Sequence, residues 1–111
     1  MPITSVLAQA VVTDLDRALV WYGRLFGRKP DANPMEGLHE WHFGSACGVQ
    51  VWSEPDRAGH ATIVLAESDL EALAAHVGES GLGEADIEQL TASRALQLSD
   101  PDGNRLVFTG A

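Results

Sequence analysis

Four histidines and one cysteine are the residues of this chain best suited to proton transfer, metal binding or nucleophilic attack. His39 and His42 stand three apart, which on a strand turns them to opposite faces, so they do not chelate one ion together. His76 falls mid-helix between Ala75 and Val77 and reads as solvent-facing. Cys47 lies on the face of its strand away from Gln50 and reads as a buried, inert thiol rather than a nucleophile. No serine, histidine and acid are spaced as a nucleophile with its base. His60 reads in two ways, as a ligand-contacting base or pH-sensitive donor, or as an exposed histidine at a strand start. Trp41 and Trp52 offer large flat surfaces with little rotamer entropy to lose, which suits a flat or hydrophobic ligand; core packing is the other reading. Trp21, beside Tyr22, reads as core or interface.

These groups need elements to hold them. Ile3 to Val12, β-branched and small apolar, predicts a strand buried on both sides, with Gln9 its one strongly polar interior residue. In the next stretch, Thr13 to Gly27, Leu15, Ala18, Leu19, Tyr22 and Phe26 mark one buried helical stripe. Thr13 or Asp14 caps its start and Gly27 closes its end. Arg28 to Gly37, with Pro30 and Pro34, predicts an irregular connection. Leu38 to Phe43 and Cys47 to Trp52 predict a hairpin about Gly44-Ser45-Ala46. On its second strand Cys47, Val49 and Val51 share one face and Gly48, Gln50 and Trp52 the other, so Gly48 leaves room beside Trp52.

Ser53 to Gly59 reads as a link, and the opening pattern then returns. His60 to Ala66 is a second apolar strand, and Ser68-Asp-Leu-Glu71 forms a capping box leading into Leu70, Leu73, Ala74 and Val77. Asp14-Leu15 matches Asp69-Leu70, and Tyr22 matches Val77, at an offset of 55 in a chain of 111 residues. The repeat is therefore the architecture. Glu84 to Thr91 predicts a short strand, Arg94 to Leu98 alternates, and Asp100-Pro-Asp-Gly103 is a strong turn before the strand Asn104 to Thr109. Each half is a strand, a helix and further strands, an α+β pattern in one domain with modules at about 1–54 and 59–111. Two such modules can enclose a ligand space between their uncovered sheet faces.

Composition sets the outer limits. With 45% hydrophobic residues in 111, one core can form without metal or disulfide staples. The balance of 7 Lys+Arg against 16 Asp+Glu, net −9, repels phosphate backbones and anionic lipid, so neither nucleic acid nor membrane is an expected partner. No apolar run is long enough to cross a bilayer. A lone cysteine and an N-terminus without a signal-peptide pattern lead us to expect the cytoplasm.

Thr13-Asp-Leu-Asp-Arg-Ala-Leu-Val-Trp-Tyr-Gly-Arg-Leu-Phe-Gly27 resembles the first-helix signature of the vicinal oxygen chelate superfamily, which includes glyoxalase I, the extradiol dioxygenases and the bleomycin-resistance proteins. Leu98-Ser-Asp-Pro-Asp-Gly-Asn-Arg-Leu-Val-Phe108 resembles its closing turn and strand. The resemblance covers essentially the whole chain and implies two βαβββ modules forming a cupped, mostly antiparallel sheet, often in a homodimer. Metal-using members carry His or Glu at one position on each of four strands. The resemblance puts Leu7, Gln50, Thr62 and Val107 at those positions, with Trp52 in place of Gln50 if the register slips by two. Leucine and valine give a divalent cation no donor, so neither a metal, a cofactor nor Lewis-acid chemistry is expected.

If those four positions face the cup, Gln9 shares a side with Leu7, His60 with Thr62, and Arg105 with Val107. The candidate ligand-binding residues are then Gln9, Trp41, Gln50, Trp52, His60, Thr62 and Arg105; no catalytic residue is assigned. Arg105 either pairs a ligand carboxylate or is solvated. The resemblance implies a metal-independent small-molecule binding protein, similar to the drug-sequestering resistance members and acting as a homodimer. The alternative is an enzyme, a lyase, isomerase or dioxygenase with a shifted metal site or with His60 as base. A third reading is a module whose cup is filled by side chains and which only dimerises.

Overall fold

A computed structural model describes residues 1–111. β1 (Val6–Val12) runs into α1 (Leu15–Phe26), followed by β2 (Ala32–Met35), β3 (Leu38–His42) and β4 (Cys47–Ser53). β5 (Thr62–Ala66) then leads into α2 (Leu70–Glu79), β6 (Ile87–Gln89), β7 (Arg94–Ser99) and β8 (Arg105–Gly110). The strands make two four-stranded sheets of matching order, β1-β4-β3-β2 and β5-β8-β7-β6. Each is parallel only where its first strand meets its last, β1 with β4 and β5 with β8. This is the α+β fold with a repeated strand-helix-strand unit that the sequence pattern implies. No helix is long and apolar enough to cross a membrane.

Capping residues define the helices. Asp14 accepts a hydrogen bond from the Arg17 amide at 3.1 Å, and Gly27, at φ +72°, ends α1 in the left-handed region. Asp69, not Ser68, caps α2, accepting from the Ala72 amide at 3.0 Å. Glu71 does not fold back as a capping box, because Arg94 holds its carboxylate with two hydrogen bonds of 2.5 and 3.2 Å. Both helices cover one contiguous apolar core, which takes in Tyr22 and Leu25 of α1, Leu70 and Val77 of α2, and the strand residues Val49, Ile63 and Phe108. His76 is half-buried rather than solvent-facing: its Nε2 donates to the carbonyls of Arg24 and Leu25 at 2.7 and 3.0 Å, tying α2 to the last turn of α1.

Two stretches depart from the sequence reading. Ala32–Met35 is a strand, not an irregular connection. Pro34 conceals it, since a residue without an N–H fits only an edge strand, and β2 is the edge of its sheet. At the N-terminus β1 begins at Val6, and Ile3 and Val6 are 74% and 67% exposed rather than buried on both sides. β1 is also an edge strand; it pairs with β4 alone and makes no ladder with β5.

The seam between the modules is closed at one end by the turn Asp100-Pro-Asp-Gly-Asn104. Asn104, fully buried, donates from Nδ2 to the Val11 carbonyl at 2.8 Å and accepts from the Ala61 amide at 3.0 Å. Asp102 accepts from the Thr13 hydroxyl at 2.6 Å and the Thr13 amide at 3.2 Å. Tyr22 crosses from α1 to donate its phenol to Asp100 at 2.7 Å. Burial, and then the neighbouring Asp100 carboxylate, raise the Tyr22 phenol far above its ordinary value of 10.0. The folded chain therefore keeps a proton that the unfolded chain releases near pH 10. This contribution is complete below about pH 10 and is lost as pH rises above it. Tyr22 is the only tyrosine. Urea midpoints measured between about pH 9 and about pH 11 should fall, and the fall should shrink in Tyr22→Phe.

Candidate functional site

The sheet surfaces turned away from the helices hold most of the candidate residues. On the first sheet, Gln9 of β1 lies opposite Gln50 of β4, which lies opposite Glu40 of β3. Their side chains join in a line: Gln9 Nε2 donates to Gln50 Oε1 at 3.1 Å, and Gln50 Nε2 donates to Glu40 Oε2 at 2.5 Å. His42 Nε2 meets the other Glu40 oxygen at 2.9 Å. Glu40 is 8% exposed, and the hydrogen bonds from His42 and then Gln50 hold its carboxyl below the usual carboxylate range. Trp52 follows Gln50 on the same face, half-buried, with its indole N–H donating to Glu54 at 2.9 Å. The space beside it is not vacant, because Leu7 lies over Gly48. A methyl group on that glycine would meet Leu7 Cδ2 at 2.7 Å and the Trp41 carbonyl at 2.5 Å.

Trp41 is not part of this face. It is fully buried on the helix side, 5.5 Å from the Phe26 ring and 6.1 Å from the Tyr22 ring, and its N–H donates to the Arg28 carbonyl at 3.0 Å. Glu40 and His42 take the outward positions of β3 instead. The hairpin register carries the signal that finds them: pairing Phe43 with Cys47 and counting back sets Glu40 opposite Gln50 and Trp41 opposite Val49.

On the second sheet Thr62 and Arg105 are cross-strand neighbours, both exposed, with Val64 and Val107 next along the same face. Arg105 makes no ion pair within 4.0 Å. His60 precedes β5, is exposed, and has no side-chain hydrogen bond that would orient it as a base. The candidate residues thus fall into two groups, Gln9, Gln50 and Trp52 on one sheet and Thr62 with Arg105 on the other. The two open faces remain solvent-exposed, with Val64 66% and Leu7 37% accessible, so one chain does not close a cup between them.

A half-open apolar space lies elsewhere. A cavity of about 580 Å³ opens where β1 and β5 diverge, at the end of the seam opposite the Asp100–Asn104 turn. It is lined by Val6, Ala8, Phe43, Ile63, Leu65 and Phe108 among other apolar side chains. Cys47 also lines it and is exposed, not buried; its thiol donates to the Phe43 carbonyl at 2.9 Å. The strand face assigned to Cys47 is correct, but that face is uncovered where the seam gapes.

A glyoxalase/bleomycin resistance protein from Catenulispora acidiphila superposes with a TM-score of 0.89 and 30% sequence identity, over 96% of this chain and 97% of that one. The chain belongs to the glyoxalase/bleomycin resistance family of the vicinal oxygen chelate superfamily. Two further structures share the fold. One is TnmS3, an antibiotic-binding protein from a Streptomyces species, at 23% identity and TM-score 0.78 over 99% of this chain and 98% of that one. The other is a bleomycin-binding protein complexed with bleomycin, at 19% identity and TM-score 0.76 over 96% and 98%. No family model and no curated protein matches the sequence. The four positions that the resemblance sets against the family's metal ligands do not suit a divalent ion in this chain. Leu7 and Val107 are hydrocarbon, Thr62 offers a hydroxyl, and the Gln50 amide is engaged at both ends by Gln9 and Glu40. No three His, Cys, Asp or Glu side chains group as a metal site elsewhere.

Proposed function

We propose that this protein binds a small molecule without a metal and acts by stoichiometric sequestration in the cytoplasm. The observation that carries the reading is the amide line Gln9–Gln50–Glu40, which lies on the face where the resemblance sets the family's metal ligands and has Trp52 next along the strand. Such a face holds a ligand by hydrogen bonding and aromatic contact and supplies no activated nucleophile. Two structural neighbours, a bleomycin-binding protein and an antibiotic-binding protein, support the same class of ligand. Because the open faces are exposed within one chain, we place the ligand between two copies, the first-module face of one against the second-module face of the other. Thr62 and Arg105 of the second copy then complete the site as a homodimer.

Light scattering of the purified protein should give twice the chain mass. Titration with bleomycin and a panel of flat antibiotics should quench tryptophan fluorescence with one equivalent per site, less so in Trp52→Phe and unchanged by EDTA. Turnover of the bound compound, or binding that EDTA abolishes and added Zn, Ni, Fe or Mn restores, would refute this reading.

A further inference from the structure

The amide line has a fixed direction. Glu40 as a carboxylate only accepts, so Gln50 must meet it with Nε2 and turn Oε1 the other way. That oxygen also only accepts, so Gln9 must meet it with Nε2, leaving the Gln9 carbonyl oxygen as the last atom of the line. Gln9 is exposed, and this oxygen has no partner in the protein. At the other end His42 donates Nε2–H to Glu40, which in the neutral ring leaves Nδ1 as an acceptor. No Lys or Arg lies within 4.0 Å of Glu40 to cancel its charge. Each amide keeps one free N–H, but both dipoles align behind an anion, and their sum is negative potential at Gln9 Oε1.

We propose that this line is a cation subsite: the open face of the first module takes ligands carrying a planar, positively charged hydrogen-bond donor of the amidinium or guanidinium type. The donor meets Gln9 Oε1, and Trp52 stands one residue pair further on the same face, about 7 Å along the strand. Glu40 acts as a positioning residue, setting the polarity of two amides without touching the ligand. The net charge of −9 draws cations toward the whole molecule; the line decides where one is held. This inference rests on the open face being the ligand face proposed above.

Benzamidine and benzoate share size and shape and differ in charge and hydrogen-bond polarity, so they are suitable probes. In 15N-labelled dimeric protein, benzamidine should shift the side-chain amide resonances of Gln9 and Gln50 saturably, and benzoate should leave them in place. Glu40→Gln removes the charge and lets the line run in either direction, so benzamidine should bind about tenfold more weakly. Gln9→Leu, at an exposed position, should weaken it likewise and carries the test if Glu40→Gln does not give a native spectrum. The proposal is overturned if benzoate moves the same resonances at equal or lower concentration, if neither compound moves them, or if benzamidine binds both variants unchanged. Bleomycin and the antibiotic panel run on the same samples keep the two readings apart. Binding of a neutral or anionic antibiotic at this face, without benzamidine binding, removes the cation subsite and keeps the binding function. No binding by any member removes both.

Discussion

Asp100→Ala should destabilise the protein by about 3 kcal/mol or more, lowering the melting temperature by roughly 12 °C. The Asp100 carboxylate is 4% exposed and accepts four hydrogen bonds, from the Tyr22 phenol at 2.7 Å, Asn104 Nδ2 at 2.8 Å, and the amides of Asp102 and Asn104 at 2.9 Å each. Alanine leaves the Tyr22 phenol and the amides of Asp102 and Asn104 without this acceptor, and Asn104 Nδ2 keeps only its bond to the Val11 carbonyl. Against a total stability of about 5–15 kcal/mol for a domain of this kind, that is a large share. Asp100→Asn keeps the shape and one acceptor oxygen and should lose less. Thermal and urea unfolding of the two variants beside the parent measure the difference; equal losses would mean that the four donors find other partners.

Gly59→Ala should be comparably harmful for a different reason. Gly59 has φ +84°, and a methyl group there would collide with the carbonyl oxygen of Asp102, a backbone atom of the Asp100–Asn104 turn. The left-handed conformation alone costs a residue with a side chain about 1–2 kcal/mol. Gly27 isolates that part, since its φ is +72° but nothing lies within 4 Å of its added methyl. Gly27→Ala should therefore cost about 1–2 kcal/mol, and Gly59→Ala should exceed it, because the turn has to be displaced. Urea unfolding of the two alanine variants reads the contrast. A combined Gly59→Ala, Asp100→Ala variant should lose less than the sum, because both changes release the same turn.

The scaffold was legible because its signals are local. An apolar stripe with Asp14 before it and Gly27 after it specifies a helix without reference to anything distant, and the same stripe after Asp69 announces the repeat. The two ends of the chain carried the family resemblance for the same reason. Edge strands were harder to read: Pro34 in β2 is a strand breaker everywhere except at an edge, and edges are a property of the finished sheet. The site was legible in part. Alternation along β4 correctly put Gln50 and Trp52 together and opposite Cys47. Trp41 was misplaced because composition alone does not say which face of β3 is which, whereas the register of the hairpin does, and it brings Glu40 to Gln50. How the two modules sit against each other was beyond local reasoning. It depends on Asn104 reaching Val11 across 93 positions of sequence and on His76 reaching α1, and these contacts leave both open faces uncovered.

The unequal ends of the seam also divide the chain into parts with different tolerance of substitution. Where Asp100, Asn104 and Gly59 lock the halves together, almost any replacement disturbs a buried bond or a backbone atom, and that end is held fixed. Where β1 and β5 part, Phe43, Cys47 and Leu65 border open space, and changes in their bulk leave the lock untouched. Side chains at one end can therefore be exchanged while the other end keeps the two halves in constant alignment.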